Sequence, residues 1–203
     1  MTKRSSYILF ILLVFAFPIT AYTIFTFHEN RAKLPVYGTT EHHIQDFRLQ
    51  NQEGETIRLS KWKNKIVVVD FFFTHCPTIC PKMTASLKEV IEKFQNDAGI
   101  ILSSFTVDPQ RDSVAQLKKY AERFSINTDK WDLITGEKKD IYKLARNSFM
   151  IVATDGDGGP GDFIHSDKFV LIDKQARIRG YYDGTDSKEI KQLILDIKKL
   201  KNE

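Results

Sequence analysis

The stretch from Ile66 to Phe73 is almost entirely β-branched or aromatic. It is bounded by the polar turn Lys63-Asn64-Lys65 and ends directly in Thr74-His75-Cys76. A short, nearly continuous apolar run of this kind reads as a strand buried on both faces, the condition of a central strand in a parallel sheet. Such a strand needs covering elements on each side, and the remaining sequence is expected to supply them.

Upstream, Ile44 to Leu49 alternates apolar and polar residues, Asn51 to Gly54 offers a turn, and Ile57-Arg58-Leu59 alternates again, which predicts a β-hairpin. Downstream, Met83, Leu87, Val90, Ile91 and Phe94 recur at helical spacing, and Ile100 to Val107 forms a second buried run. Asp112 or Ser113 can cap a helix that carries Val114, Leu117, Tyr120, Ala121 and Phe124 on one side. Trp131 to Leu133 reads as a short extended piece and Lys138 to Phe149 as a further helix. Phe169 to Ile172 and Ile178 to Tyr182 read as two strands, and Ser187 to Leu200 as a closing amphipathic helix. Strand and helix alternation followed by a late hairpin and a terminal helix predicts a three-layer α/β domain.

The N-terminal segment is of another kind. No charged residue occurs from Tyr7 to Phe27, and the stretch is long enough to cross a hydrocarbon core as one helix, bent at Pro18. Lys3 and Arg4 precede it and favour a cytoplasmic N-terminus, so the rest of the chain is expected on the periplasmic or equivalent side. A cleaved signal peptide is the competing reading, but Ile19 spoils the small-residue pattern before Ala21 and the apolar stretch is of full span length. The expected organisation is a cytoplasmic start at 1–6, a transmembrane anchor at 7–27, a linker at 28–43 and one domain at 44–203. His42 and His43, at the end of the linker, read as a solvated pair.

Within 203 residues this leaves room for one domain able to bury its own core. Apolar residues at 42% and charged residues at 28% exclude a disordered scaffold. The formal charge of +4 includes Lys3 and Arg4, and no basic stripe with interleaved aromatics occurs, which argues against a nucleic-acid partner.

Only two cysteines are present, four residues apart, in Cys76-Pro77-Thr78-Ile79-Cys80-Pro81 at the strand-to-helix junction. On one helical turn their Cβ atoms would lie roughly 5–6 Å apart. They could share a soft metal or form a redox-active disulfide pair. A helix N-terminus favours the thiolate that both uses need. Pro77 suits an early helical position, whereas Pro81 is expected to distort a helix that has already begun. A purely structural disulfide is the bland alternative, but closing so short a loop constrains little of the unfolded chain. Two thiolates select Cu(I), and a histidine joining them would serve Cu(II) as well. His75 is the nearest candidate by sequence, although an extended backbone would point it away from Cys76. His165 follows a Gly-rich stretch and is the other candidate.

The string Asp70-Phe71-Phe72-Phe73-Thr74-His75-Cys76-Pro77-Thr78-Ile79-Cys80-Pro81 resembles the metal-site signature of the SCO/SenC family of copper-binding, cytochrome c oxidase assembly proteins. Thr106 to Asp112 resembles that family's second signature, and His165-Ser166 with Leu171-Ile172-Asp173 its third. The resemblance runs from about residue 44 to residue 200. It implies a thioredoxin-like fold with an added N-terminal β-hairpin, copper as Cu(I) or Cu(II), and Cys76, Cys80 and His165 as its ligands. It also implies a function, metallochaperone for the binuclear copper centre of cytochrome c oxidase, with the copper-bearing oxidase subunit as partner. Asp108 matches an acidic residue near the family's site, or simply forms a turn beside Pro109.

A thiol-disulfide reductase acting on the acceptor's cysteines is the alternative function. A peroxidase is disfavoured because Thr74 lies only two residues before Cys76 and no suitable proline precedes it. The segment Asp155 to Asp162 is rich in Gly and Asp but lacks the spacing and terminal Glu of an EF-hand, and reads as a hinge before His165.

Overall fold

The computed structural model describes residues 7, 14–23, 33–39, 42–151, 164 and 166–203. The chain divides into two units, Met1–Lys33 and Leu34–Glu203. In the first, residues 14–23 are helical, and the Thr20 hydroxyl donates to the carbonyls of Ala16 and Phe17 at 2.9 and 3.0 Å. Together with Tyr7, these residues are the described part of the expected span. Among the described residues no helix is long and apolar enough to cross a membrane.

The second unit is built on one seven-stranded sheet. Its strands are β1 (Arg48–Asn51), β2 (Thr56–Arg58), β3 (Ile66–Phe72), β4 (Ile100–Thr106), β5 (Trp131–Thr135), β6 (Lys168–Ile172) and β7 (Ile178–Asp183). Their order across the sheet is β2-β1-β5-β4-β3-β6-β7. Strands β3, β4 and β5 run parallel, and the outer pairs are antiparallel. The parallel centre needs crossovers, and helices α1 (Ile79–Lys93) and α2 (Val114–Phe124) provide them. Helix α3 (Lys138–Lys143) and α4 (Ser187–Lys201) complete the set.

Every residue of β3 and of β4 is buried, as a strand covered on both faces requires. Ile66, Val68 and Phe72 alternate into one core layer with Met83, Leu87 and Val90 of α1, Leu117 and Tyr120 of α2, and Leu193 and Ile197 of α4. Val67, Val69 and Phe71 enter the opposite layer, where Phe71 stacks on Phe105 and meets Phe149 edge to face, Phe47 meets Trp62 and Phe105 edge to face, and Ile141 and Leu144 close the back. Each side chain of this size, fully buried, contributes about 1.5–3 kcal/mol. The expected three-layer sandwich is present.

The N-terminal hairpin is present too, at β1 and β2: its first strand starts at Arg48 rather than Ile44, and its second at Thr56 rather than Ile57. Asn51 accepts the Gly54 N–H at 2.9 Å, and Gly54 has the positive φ of 78° that such a turn asks of a glycine. The Asn51 side chain ties the turn to β5 by donating to Asp132 at 3.0 Å. Residues 34–39 and 42–43 lie against the domain: Tyr37 pairs with Ile178, and the buried Arg179 donates to the carbonyls of Leu34 and Pro35. His42, expected in solvent, is half-buried, with Nε2 2.8 Å from the Ser148 carbonyl, while His43 is exposed. The helix expected from Lys138 to Phe149 changes character at Leu144, where Leu144–Ser148 forms a π turn and the Phe149 N–H reaches back to Leu144. A 3.6-residue pattern carries no mark of that extra residue.

Candidate metal centre

Strand β3 delivers Phe73 and Thr74 to the end of the sheet, and the chain turns at once. The Cys76 N–H bonds the Phe73 carbonyl at 3.3 Å, which puts Thr74 and His75 at the corner of a turn rather than in extended backbone. Helix α1 then starts at Ile79, so Cys76 precedes it and Cys80 lies in its first turn. The Cys80 N–H donates to the Cys76 sulfur at 3.3 Å, so Cys76 fills the place of an N-cap acceptor. Pro81 does not break the helix. It occupies the third helical position, where the N–H it lacks would have no intrahelical partner.

Both cysteines are free thiols, 7% and 3% exposed. Their environments differ. Burial opposes ionisation of Cys76, but the N–H groups of Cys80, Thr78 and Ile79 and the Cys80 thiol together outweigh it and hold this thiol below its ordinary value. Burial pushes Cys80 far up; a backbone hydrogen bond at Phe73 opposes, while Cys76 and the charge of Asp70 add to the rise. The helix N-terminus therefore favours one thiolate, not two.

Asp70 is the charged residue of β3, buried on the same side of the sheet as the cysteines, and its carboxyl accepts from the Ser104 hydroxyl, which in turn accepts from Trp131 Nε1 at 2.8 Å. Burial raises its pKa from 3.8 to about 7, against the opposing Ser104 hydrogen bond.

Asp112 turns out not to be a helix cap. Ser113 takes that part, accepting the Gln116 N–H at 3.3 Å. Asp112 is instead fully buried. Its carboxyl accepts the Thr74 N–H at 3.0 Å and the hydroxyls of Thr74 and Thr106 at 2.5 Å each. One side chain thus joins the exit of β3 to the exit of β4, two residues before Cys76. Sequence reasoning missed this role, although Asp112 closes the Thr106–Asp112 motif. Asp108 behaves as a turn former: its carbonyl accepts from the N–H groups of Arg111 and Asp112 at 3.1 and 2.9 Å, and its carboxyl lies 3.8 Å from Arg111.

His165 and the segment Asp155 to Asp162 lie outside the described residues. Ile164 is described: it is buried, and its N–H reaches the Tyr142 hydroxyl at 3.4 Å, which itself donates to the Val107 carbonyl at 2.9 Å. Among the described residues no three His, Cys, Asp or Glu side chains gather around one metal position. Of the expected ligands the two sulfurs alone lie among the described residues, with His75 as their neighbour in the chain.

Residues 36–202 match the family model SCO1/SenC. The chain is 30% identical over 182 residues to the SCO1 protein homolog of Bacillus subtilis, covering 89% of this chain and 94% of that protein. Among solved structures, a SCO1/SenC family lipoprotein from Bacillus anthracis aligns with a TM-score of 0.70 at 29% identity, over 82% of this chain and 99% of the other. BsSco, a member of the Sco family of cytochrome c oxidase assembly proteins in which a disulfide switch is identified, aligns at 0.68 with 30% identity, over 81% and 96%. Bradyrhizobium japonicum ScoI, solved with copper bound, shares the fold at a TM-score of 0.62 and 24% identity, over 77% and 98%. The sheet, the strand-to-helix cysteine turn and these matches agree, and the chain belongs to the SCO1/SenC family.

Proposed function

We propose that this chain is a membrane-anchored copper metallochaperone. It carries copper on Cys76, Cys80 and His165 and passes it to the copper-bearing subunit of cytochrome c oxidase, where the binuclear copper centre is assembled. The observation that carries the reading is the pair of free, buried thiols at the exit of the central strand, with a backbone N–H of one cysteine on the sulfur of the other. Two thiolates in a dry setting are a soft donor set that suits Cu(I), and an imidazole adds capacity for Cu(II). Each thiol releases its proton as it takes the ion, and transfer to the acceptor is a ligand exchange that leaves the copper oxidation state unchanged.

Residues 7–27 form the single span in this reading, with 1–6 cytoplasmic, 28–43 as a linker whose residues from Leu34 onward pack on the domain, and 44–203 as the copper-binding domain on the periplasmic or equivalent side. The lipoprotein relative from Bacillus anthracis is consistent with an exported, tethered domain. Anaerobic competition against a Cu(I) chelator tests the copper reading. The wild-type chain should outcompete a Cys76→Ser/Cys80→Ser variant by orders of magnitude, and equal affinities would end the proposal.

The unequal thiols favour a second reading, thiol-disulfide reduction of the acceptor's cysteines. Cys76 as thiolate would attack the substrate disulfide and release one substrate thiolate. Cys80 would then lose its proton and displace the other, so that two electrons pass from the dithiol to the substrate. A His165→Ala variant separates the two: copper binding should weaken under the first reading, while exchange should persist unchanged under the second.

A further inference from the structure

Both cysteines are buried, so an ion arriving from solvent needs a donor that solvent reaches. His75 is the residue next to Cys76, and its side chain is 56% exposed. An extended backbone would turn it away from Cys76, but residues 74 and 75 form a turn.

The ring is not free to choose its tautomer. The Thr74 hydroxyl donates its proton to Asp112 Oδ1 at 2.5 Å, so Thr74 Oγ1 can only accept from its other neighbours. Those are Gln116 Nε2 at 3.2 Å and His75 Nδ1 at 3.1 Å. His75 Nδ1 must therefore carry the hydrogen, and in the neutral ring the lone pair is on Nε2. Asp112 cannot turn away, because its other oxygen is held by the Thr74 N–H and the Thr106 hydroxyl. A buried carboxyl thus reaches an exposed imidazole through one hydroxyl and fixes which nitrogen is available. This is the outer-shell arrangement that orients metal-binding histidines.

We propose that His75 is the entry ligand: copper is first taken by His75 Nε2 at the surface and then passes to the sulfurs of Cys76 and Cys80. On transfer the Nε2–copper bond breaks, two sulfur–copper bonds form, the thiols give their protons to solvent, and the copper keeps its charge. The inference rests on the copper-carrying reading above and adds a residue to it that acts on the rate of loading, not on the final complex.

Loading is followed anaerobically by mixing the reduced full chain with Cu(I) held in a coloured chelate and recording the loss of colour with time. His75→Ala should slow loading at least about tenfold, no less than the loss in affinity or activity when only a metal-binding histidine's supporting partner is removed. The equilibrium affinity should stay within about twofold of wild type. Thr74→Val, which removes the hydroxyl that sets the tautomer, should slow loading in the same direction, and Thr74→Ser should restore it. Wild-type loading by His75→Ala overturns the inference. So does an affinity loss as large as the rate loss, because His75 would then be a resident ligand. If the wild-type chain takes no copper from the chelate, it is the copper-carrying reading that fails, and the competition assay against the double serine variant reports that separately.

Discussion

Thr74 and Ile164 each stand one or two residues before a proposed copper ligand, and they are held in different ways. Thr74 is gripped at its N–H and at its hydroxyl by the buried Asp112, with Gln116 and His75 on the same oxygen. Ile164 is set by burial of its side chain and by a long hydrogen bond to the Tyr142 hydroxyl. The cysteine turn is therefore pre-organised by a polar network that orders specific atoms, whereas Ile164, among the described residues, is held by an apolar anchor and a phenol. Apolar contacts fix depth; hydrogen bonds also fix rotation and register. Both grips meet at the end of β4, since Thr106 serves Asp112 and Val107 serves Tyr142.

The comparison breaks most visibly at Asp112. Asp112→Ala leaves the Thr74 N–H and two buried hydroxyls without their acceptor, and should cost about 3–5 kcal/mol in urea unfolding. A loss under about 1 kcal/mol would mean the turn is held by packing like Ile164.

Asp70 tests the ground beneath the turn. Its folded pKa of about 7 lies above the ordinary 3.8, so the folded chain keeps a proton that the unfolded chain has released between those values. The stabilising contribution of the neutral acid is complete below about pH 4 and is lost as pH rises to about 7. Asp70→Asn should therefore be more stable than wild type above pH 7, by about 2–4 kcal/mol, with the difference fading toward pH 4. A pH-independent difference would contradict the assignment.

The asymmetry within the turn is read by alkylation. Brief treatment with iodoacetamide near neutral pH should modify Cys76 about tenfold or more faster than Cys80, as mass spectrometry of peptides would show. Equal labelling would remove the reason for giving the two thiols separate roles. The smallest effect belongs to the other region. Tyr142→Phe deletes the bonds to Val107 and Ile164 and should cost about 1 kcal/mol, with faster amide exchange at Ile164 and none of the change at Thr74. A change at Thr74 of the same size would show that the two grips are one.

Much of this was readable in advance, for a definite reason. The burial of β3 and β4, the hairpin, the late strand pair and the closing helix follow from apolar spacing, which depends only on local periodicity. Cys76 and Cys80 were legible because they lie four residues apart on one junction. The roles of Asp112, Asp70 and His75 were not, because each depends on which strand lies beside which. Asp112 and Ser113 are equally good caps on paper, and only the neighbouring exit of β3 gives Asp112 its donors. The π turn at Leu144–Ser148 escaped for another reason, since its inward residues fit an α-helical pattern as well.

The sequence by itself determined the central strand, the layers around it and the two thiols at its end, because hydrophobic period and chain adjacency are properties of a few consecutive residues. Tertiary structure alone decided that the thiols are unequal, that Asp70 is buried beside Ser104, and that a carboxyl 37 residues beyond His75 chooses the tautomer of its ring. Those outcomes depend on desolvation and on hydrogen-bond partners, and both are set by segments that only the folded sheet brings together.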